Sequence, residues 1–261
     1  AVGGDRNELW KRYYTYGGLP YLAVLNDNAQ RSEYLMRLNQ TLYLRDIIER
    51  NKIANEEAFT DLMNVMASGI GAPCNPNKIA NTFKTVRKET LAPHTIANYL
   101  SYMEDAFIIE KSIRYDIKGR KYIGTLAKYY FQDVGLRNAL LNFRQVEETH
   151  IMENIIYNEL RSRGYSVDVG MIEARTATER RQLEVDFVAN KGDKRYYIQS
   201  AFALPNEEKR EQELASLKRI NDSFKKVIIM RDDISPYHDE NGVLIMGLMD
   251  FLLGTNVEEI L

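Results

Sequence analysis

The segment "LEVDFVANKGDKRYYIQSA" (183–201) holds the residues best suited to chemistry: Glu184 and Asp186 two apart, then Gln199 and Ala201 two apart beyond a glycine turn. Alternate residues of a strand share a face, so Glu184 and Asp186 point together, as do Tyr197, Gln199 and Ala201. In a hairpin the two faces meet. Glu153, in "MENIIYNEL", offers a further carboxylate from the preceding helix. Glu153, Asp186 and the side-chain oxygen of Gln199 make an oxygen set of the kind Mg²⁺ accepts, and the chemistry would be metal-assisted phosphodiester cleavage. Such an enzyme also wants a cation beside the metal. Ala201 supplies none, which leaves Lys209 or Arg210 on the following helix as the cations able to reach in. The plainer alternative is that Glu184 and Asp186 form the solvated face of an edge strand and Glu153 an exposed helix position.

A second constellation lies upstream. The order helix, turn, helix, hairpin over 76–133 is that of a winged helix-turn-helix. In "HTIANYLSYMEDAFII" the positions Ile96, Tyr99, Leu100 and Met103 make a core stripe, leaving His94, Thr95, Asn98 and Ser101 outward, where short polar side chains can reach base edges or phosphates. The hairpin carries Lys111, Arg114, Lys118, Arg120, Lys121 and Lys128 against one acid, Asp116. That basic wing suits double-stranded DNA. Lysine-rich hairpins also protect sheet edges from aggregation, and helix-turn-helix units also dock proteins.

The elements that position these residues follow from the periodicity. From Glu8 to about Ala106 apolar residues recur at three and four, as in Tyr34, Leu35, Leu38, Leu42, Ile47 and Ile48, which predicts short helices punctuated at "YGGLPY", "GIGAPCNPN" and "LAPHT". "FIIEKSIRYDIKGRKYIGTLAKYYFQD" (107–133) then reads as two strands around a turn at Gly119, and helical spacing returns at "VGLRNALLNF" and at 149–165. Beyond it come strands at 166–173, 183–189 and 195–203, a helix at 206–223, a buried strand at 226–231, and a last strand and helix at 243–253. The expected class is α+β. Three segments are expected: a helical region at 1–70, a winged helix at 71–144 and an α/β domain at 145–261.

Composition narrows the function. The chain has 35 basic and 37 acidic residues, so its net charge of −2 expresses no partner preference by itself. Cys74 is a single cysteine, and with His94, His150 and His238 it makes no zinc spacing. A reducing cytoplasm is the expected compartment. No apolar run nears the roughly 20 residues of a membrane span, so no membrane partner is expected. No phosphate-binding loop with its Gly-Lys-Ser/Thr ending occurs, so this chain is not expected to bind or hydrolyse ATP. Its start, "AVGGDRNELW", suits a piece excised from a longer protein.

Six stretches in fixed order, "YYTYGGLPY", "QTLYLRDIIER", "APHTIANYLSYMEDAFIIE", "KYYFQDVGLRNALL", "MENIIYNELRSRGY" and "EVDFVANKGDKRYYIQSA", span nearly the whole chain. Together they resemble the carboxy-terminal region of a large prokaryotic group of AAA-type ATPases, a region of unknown function that follows the P-loop module. The resemblance implies a helical linker, a winged helix and a domain like the PD-(D/E)XK restriction endonucleases, with the ATPase module as a partner in the same protein. Residue by residue, Glu153 matches the helix acid, Asp186 the strand acid, and Gln199 to Ala201 the acid-x-lysine step. Gln-Ser-Ala departs from the pattern at that step. The expectation is therefore a DNA-interaction region with a degenerate, non-cleaving nuclease-like domain. The alternatives are a Mg²⁺-dependent nuclease using Glu153, Asp186 and Gln199, and a docking module for a protein client.

Overall fold

The computed structural model describes residues 5–87, 91–175 and 180–254. Its chain contacts divide it into two compact units, Ala1–Lys111 with Lys128–Asn154, and Ser112–Ala127 with Ile155–Leu261. The expected boundary near 145 lies within the first unit, and the turn half of the hairpin lies in the second.

The first unit is built on helices α1 (Arg6–Tyr16), α2 (Asn28–Leu38), α3 (Arg45–Asn51), α4 (Glu56–Ser68), α5 (Pro76–Thr82) and α6 (Pro93–Asp105). Their starts are set locally. Asp27, Asn55 and Asn75 each accept a backbone N–H of the first turn, and Pro76 and Pro93 occupy first-turn positions where the missing N–H costs nothing. Ile96, Tyr99, Leu100 and Met103 of α6 are buried, as their spacing requires, while His94, Asn98 and Ser101 are exposed and Thr95 is half-buried. Among the described residues, no helix is long and apolar enough to cross a membrane.

Two of the distinctive sequence stretches meet inside this unit. Asp133 caps α7 (Val134–Leu140) by accepting from Leu136 N–H at 2.9 Å, and its other oxygen accepts from Gly18 N–H at 2.8 Å. Burial raises the Asp133 pKa, while the N–H groups of Gly18, Leu136 and Gly135 oppose the shift. Asn138 donates to the Tyr14 and Thr15 carbonyls at the end of α1. Gly135 is fixed by contact, since a Cβ there would lie 1.9 Å from the Tyr16 carbonyl oxygen. "YGGLPY" and "QDVGLRNALL" are therefore the two halves of one junction.

The hairpin strands β1 (Ile109–Asp116) and β2 (Lys121–Phe131) are followed, after α8 (Glu148–Ser162), by β3 (Ser166–Arg175), β4 (Arg180–Lys191), β5 (Lys194–Ala201), α9 (Glu207–Leu217) and β6 (Lys225–Met230). β7 (Tyr237–His238), β8 (Leu244–Gly247) and α10 (Leu248–Leu253) complete the chain. The strands form one mixed sheet in the order β2-β1-β3-β4-β5-β6-β8-β7. β3, β4 and β5 pair antiparallel in sequence, whereas β1 with β3, β5 with β6 and β6 with β8 are parallel. The basic hairpin is thus joined to this sheet through β1. In its turn the left-handed residue is Arg120 (φ 50°), and Gly119 donates its N–H to Asp116 Oδ1 at 2.9 Å, a close approach in which a Cβ would push the Asp116 side chain aside.

The parallel β5–β6 pair needs a crossover, which α9 supplies. Leu214, Leu217 and Ile220 pack with Ile172, Val188, Tyr197 and Ala201 in the core of this unit. α9 stops at Leu217, short of the expected 223. The reason is Asp222, which accepts from Phe224 N–H and from the Tyr197 hydroxyl and so holds 218–224 as a loop.

Gly135→Ala is expected to cost about 1–3 kcal/mol in denaturant unfolding, because backbone and not a flexible side chain must move. Gly124→Ala, where the Cβ meets nothing within 4 Å, should change stability by less than about 0.5 kcal/mol.

Candidate functional site

β4 and β5 carry the expected carboxylate end. Their register sets Phe187 opposite Ile198, and so Asp186 beside Gln199. Asp186 is 9% exposed. Its Oδ2 accepts from Ser200 N–H at 2.8 Å, and its own N–H points to Gln199 Oε1 at 3.4 Å. Gln199 Nε2 donates in turn to Glu213 Oε2 of α9 at 3.3 Å, and Lys209 Nζ pairs with Glu213 Oε1 at 2.6 Å. Glu184 pairs instead with Arg114 at 3.4 Å. The chain therefore links Asp186, Gln199, Glu213 and Lys209. Glu213 was not foreseen; its only sequence signal is its position four residues after Lys209 on one helix face.

Ala201 is 2% exposed, within the apolar cluster beneath α9. A methyl group fills the position where the resemblance would put a lysine. Glu153 belongs to the first unit, where its Oε1 accepts from Lys128 Nζ at 2.9 Å and from the Tyr130 hydroxyl at 2.8 Å. Lys128, grouped on sequence with the wing cations, is a correction: it is buried, and its ammonium is held by this carboxylate. Glu153 and Asp186 each serve partners in their own unit, and no group of three or more His, Cys, Asp or Glu among the described residues is arranged to hold a metal.

The cationic end lies at the start of β5. A groove of about 720 Å³ runs between the β1–β2 turn, the β4–β5 turn and the loop after α9. One wall carries Lys118 and Arg120, the second Asp193 and Lys194, the third Asp222 and Phe224, with Arg195 among the lining residues. Arg195 is clamped. Its guanidinium lies 5.3 Å from the ring centres of both Tyr115 and Phe224, and its Nε donates to Asn190 Oδ1 at 2.7 Å. Burial works against its charge, but hydrogen bonds with Tyr197 and Tyr115 leave its pKa raised. Tyr197 is pushed up to about 12 by burial and by its bond to Asp222. Asp168, also buried, is raised by burial, with the Tyr122 hydroxyl and the charges of Arg195 and Arg161 opposing.

Of the other expected contact residues, Lys111, Lys118, Arg120 and Lys121 are exposed, while Arg114 is half-buried against Glu184. Among the described residues Lys118, Arg120, Lys121 and Arg195 have no carboxylate within ion-pair distance. Arg195, Tyr197, Asp222 and Phe224 were missed as site residues. Their grouping depends on a crossover that brings residues 195 and 224 together, which strand alternation alone does not reveal.

These features define a mixed α+β protein with a helical unit and an eight-stranded mixed sheet, whose second unit has a carboxylate end and a cationic groove. The chain belongs to the family described as a domain of unknown function, DUF8612, whose model matches residues 7–147. An uncharacterized protein of Haemophilus influenzae is 32% identical over 250 residues, covering 95% of this chain and 58% of that protein. The uncharacterized protein MJ1544 of Methanocaldococcus jannaschii is 26% identical over 238 residues, covering 88% and 52%. The chain thus spans about half the length of the curated relatives it matches. The crystal structure of protein VC1899 from Vibrio cholerae is similar at a TM-score of 0.33 and 13% identity, over 78% of this chain and 55% of that one.

Ala201→Lys is expected to destabilise by at least about 2 kcal/mol in denaturant melts, because it forces an ammonium into an apolar cluster. Tolerance within about 0.5 kcal/mol would mean that the position opens toward the carboxylates.

Proposed function

We propose that this chain is a DNA-interaction region of a longer AAA-type ATPase, in which a winged helix-turn-helix (α5, α6 and the hairpin) is followed by a nuclease-like domain that binds without cutting. The observation that carries it is the cationic turn: Lys118, Arg120 and Lys121 are exposed and without ion-pair partners among the described residues, in a chain whose net charge is −2. Cations left unpaired in a chain with charge to balance them suit a polyanion's phosphates. The outward residues of α6, His94, Thr95, Asn98 and Ser101, with Lys111, offer a further set of contacts in this reading. The buried methyl of Ala201 and the commitment of Asp186 to Ser200 N–H argue against cleavage. The greater length of the relatives is in keeping with an ATPase module elsewhere in the protein.

A second reading, a metal-dependent nuclease on Glu153, Asp186 and Gln199, draws on one feature, that α9 carries Lys209 and Glu213 to the face of Asp186. Incubation with plasmid and Mg²⁺ or Mn²⁺ separates the two. No nicking is expected, and nicking abolished by Asp186→Asn would establish the nuclease.

Affinity for duplex DNA is expected to fall with salt, with a slope in log–log form of about −0.9 per neutralised phosphate. Alanine at Lys118, Arg120 and Lys121 together should flatten that slope by about 0.9 for each phosphate left without its cation. Absence of binding at low salt would remove the DNA reading and leave a protein client as the partner to seek.

A further inference from the structure

We infer that the groove at the start of β5 is a seat for one phosphate ester joined to an unstacked nucleobase, with the phosphate at Arg195 and the base on Phe224. This goes beyond contact with a duplex backbone, because it needs a base that is not paired, and it rests on the DNA reading only for where that nucleotide comes from.

The guanidinium comes first. Arg195 is held between two aromatic rings and by Asn190, so little side-chain freedom remains to be given up when an anion arrives. No carboxylate among the described residues lies within ion-pair distance of it. Lys118, Arg120 and Lys194 line the same groove, so four cations face two acids, Asp193 and Asp222. Asp222 is already engaged by the Tyr197 hydroxyl at 2.6 Å and by Phe224 N–H at 3.2 Å. The field in the groove is positive.

An anion alone would not need Phe224. Phe224 stays 37% exposed at the groove, with Tyr197 meeting its ring edge-to-face at 6.4 Å and the Arg195 guanidinium 5.3 Å from its centre. A flat ring backed by a guanidinium is a stacking platform that accepts any base, and a charged groove with such a platform is the physical design of single-strand binding. A volume of about 720 Å³ lies within the ordinary range for small-ligand sites, so a nucleotide fits. Asn221 lines the same groove and can meet polar base atoms.

The test measures binding of a labelled thymidine 8-mer, the same strand with abasic positions, thymidine monophosphate and a 16-base-pair duplex, against the wild-type chain, Phe224→Ala and Phe224→Tyr. The 8-mer is expected to bind, to weaken on the order of tenfold with Phe224→Ala, and to recover with Phe224→Tyr. The abasic strand should bind the wild type about as weakly as the 8-mer binds Phe224→Ala. Monophosphate binding with the same dependence on Phe224 supports the seat and assigns it to a free nucleotide; binding of the 8-mer alone supports it and assigns it to a strand. Duplex binding unchanged by Phe224→Ala separates the seat from the cationic turn, and a duplex that fails while the 8-mer binds removes only the duplex reading. An abasic strand as tight as the 8-mer, no effect of Phe224→Ala, or no binding of either single-stranded ligand at low salt overturns the inference.

Discussion

The parallel pairing of β5 with β6 is the constraint on which the second unit depends. A parallel pair cannot be joined by a tight turn, so the chain must leave the sheet, cross it as a helix and return. α9 is that crossover, and it lies on the face that carries Tyr197 and Ala201. Its entry brings Lys209 and Glu213 toward Gln199 at one end of β5. Its exit loop brings Asp222 and Phe224 against Tyr197 and Arg195 at the other. Both features of interest are the two ends of one connection.

The ends differ in what their charges do. At the carboxylate end each group answers another: Asp186 holds Ser200 N–H, Gln199 holds Glu213, and Glu213 holds Lys209. Such a network satisfies a half-buried polar patch and keeps β4 in register with β5, since a buried carboxylate without donors would be costly. At the groove, aromatic faces and hydroxyls surround Arg195 and no acid among the described residues pairs with it. Unbalanced charge with fixed geometry is the property of a binding surface, and balanced charge that of a scaffold.

Much of the fold is legible in the residues themselves. Alternation puts Gln199 with Ala201, three-and-four spacing finds the buried stripe of α6, and the run "KKVIIM" marks β6, whereas the register shift of β3 against β4 between Val185 and Val188 breaks the alternation that would set Glu184 with Asp186. What stays hidden are pairings set by distance in the chain. Nothing local marks Lys128 as the buried partner of Glu153, or Arg114 as the partner of Glu184, and both look like wing cations because a strand's inward charge reads the same as its outward one. The clamp on Arg195 needs Tyr115 and Phe224, 80 residues before and 29 after it, brought together by the sheet order. The early stop of α9 is hidden for a nearer reason, since the tie from Asp222 to Tyr197 overrides a helical pattern.

The central claim is that nucleic acid meets the second unit at its turn-lined groove and leaves the carboxylate end untouched. Amide hydrogen exchange with and without a DNA that carries both duplex and a single-stranded end tests it most directly. Slowed exchange is predicted at 117–122, 192–195 and 221–225, with 184–187 and 199–201 unchanged. Slowing centred on 184–187 and 199–201, with the turns unaffected, would contradict the account.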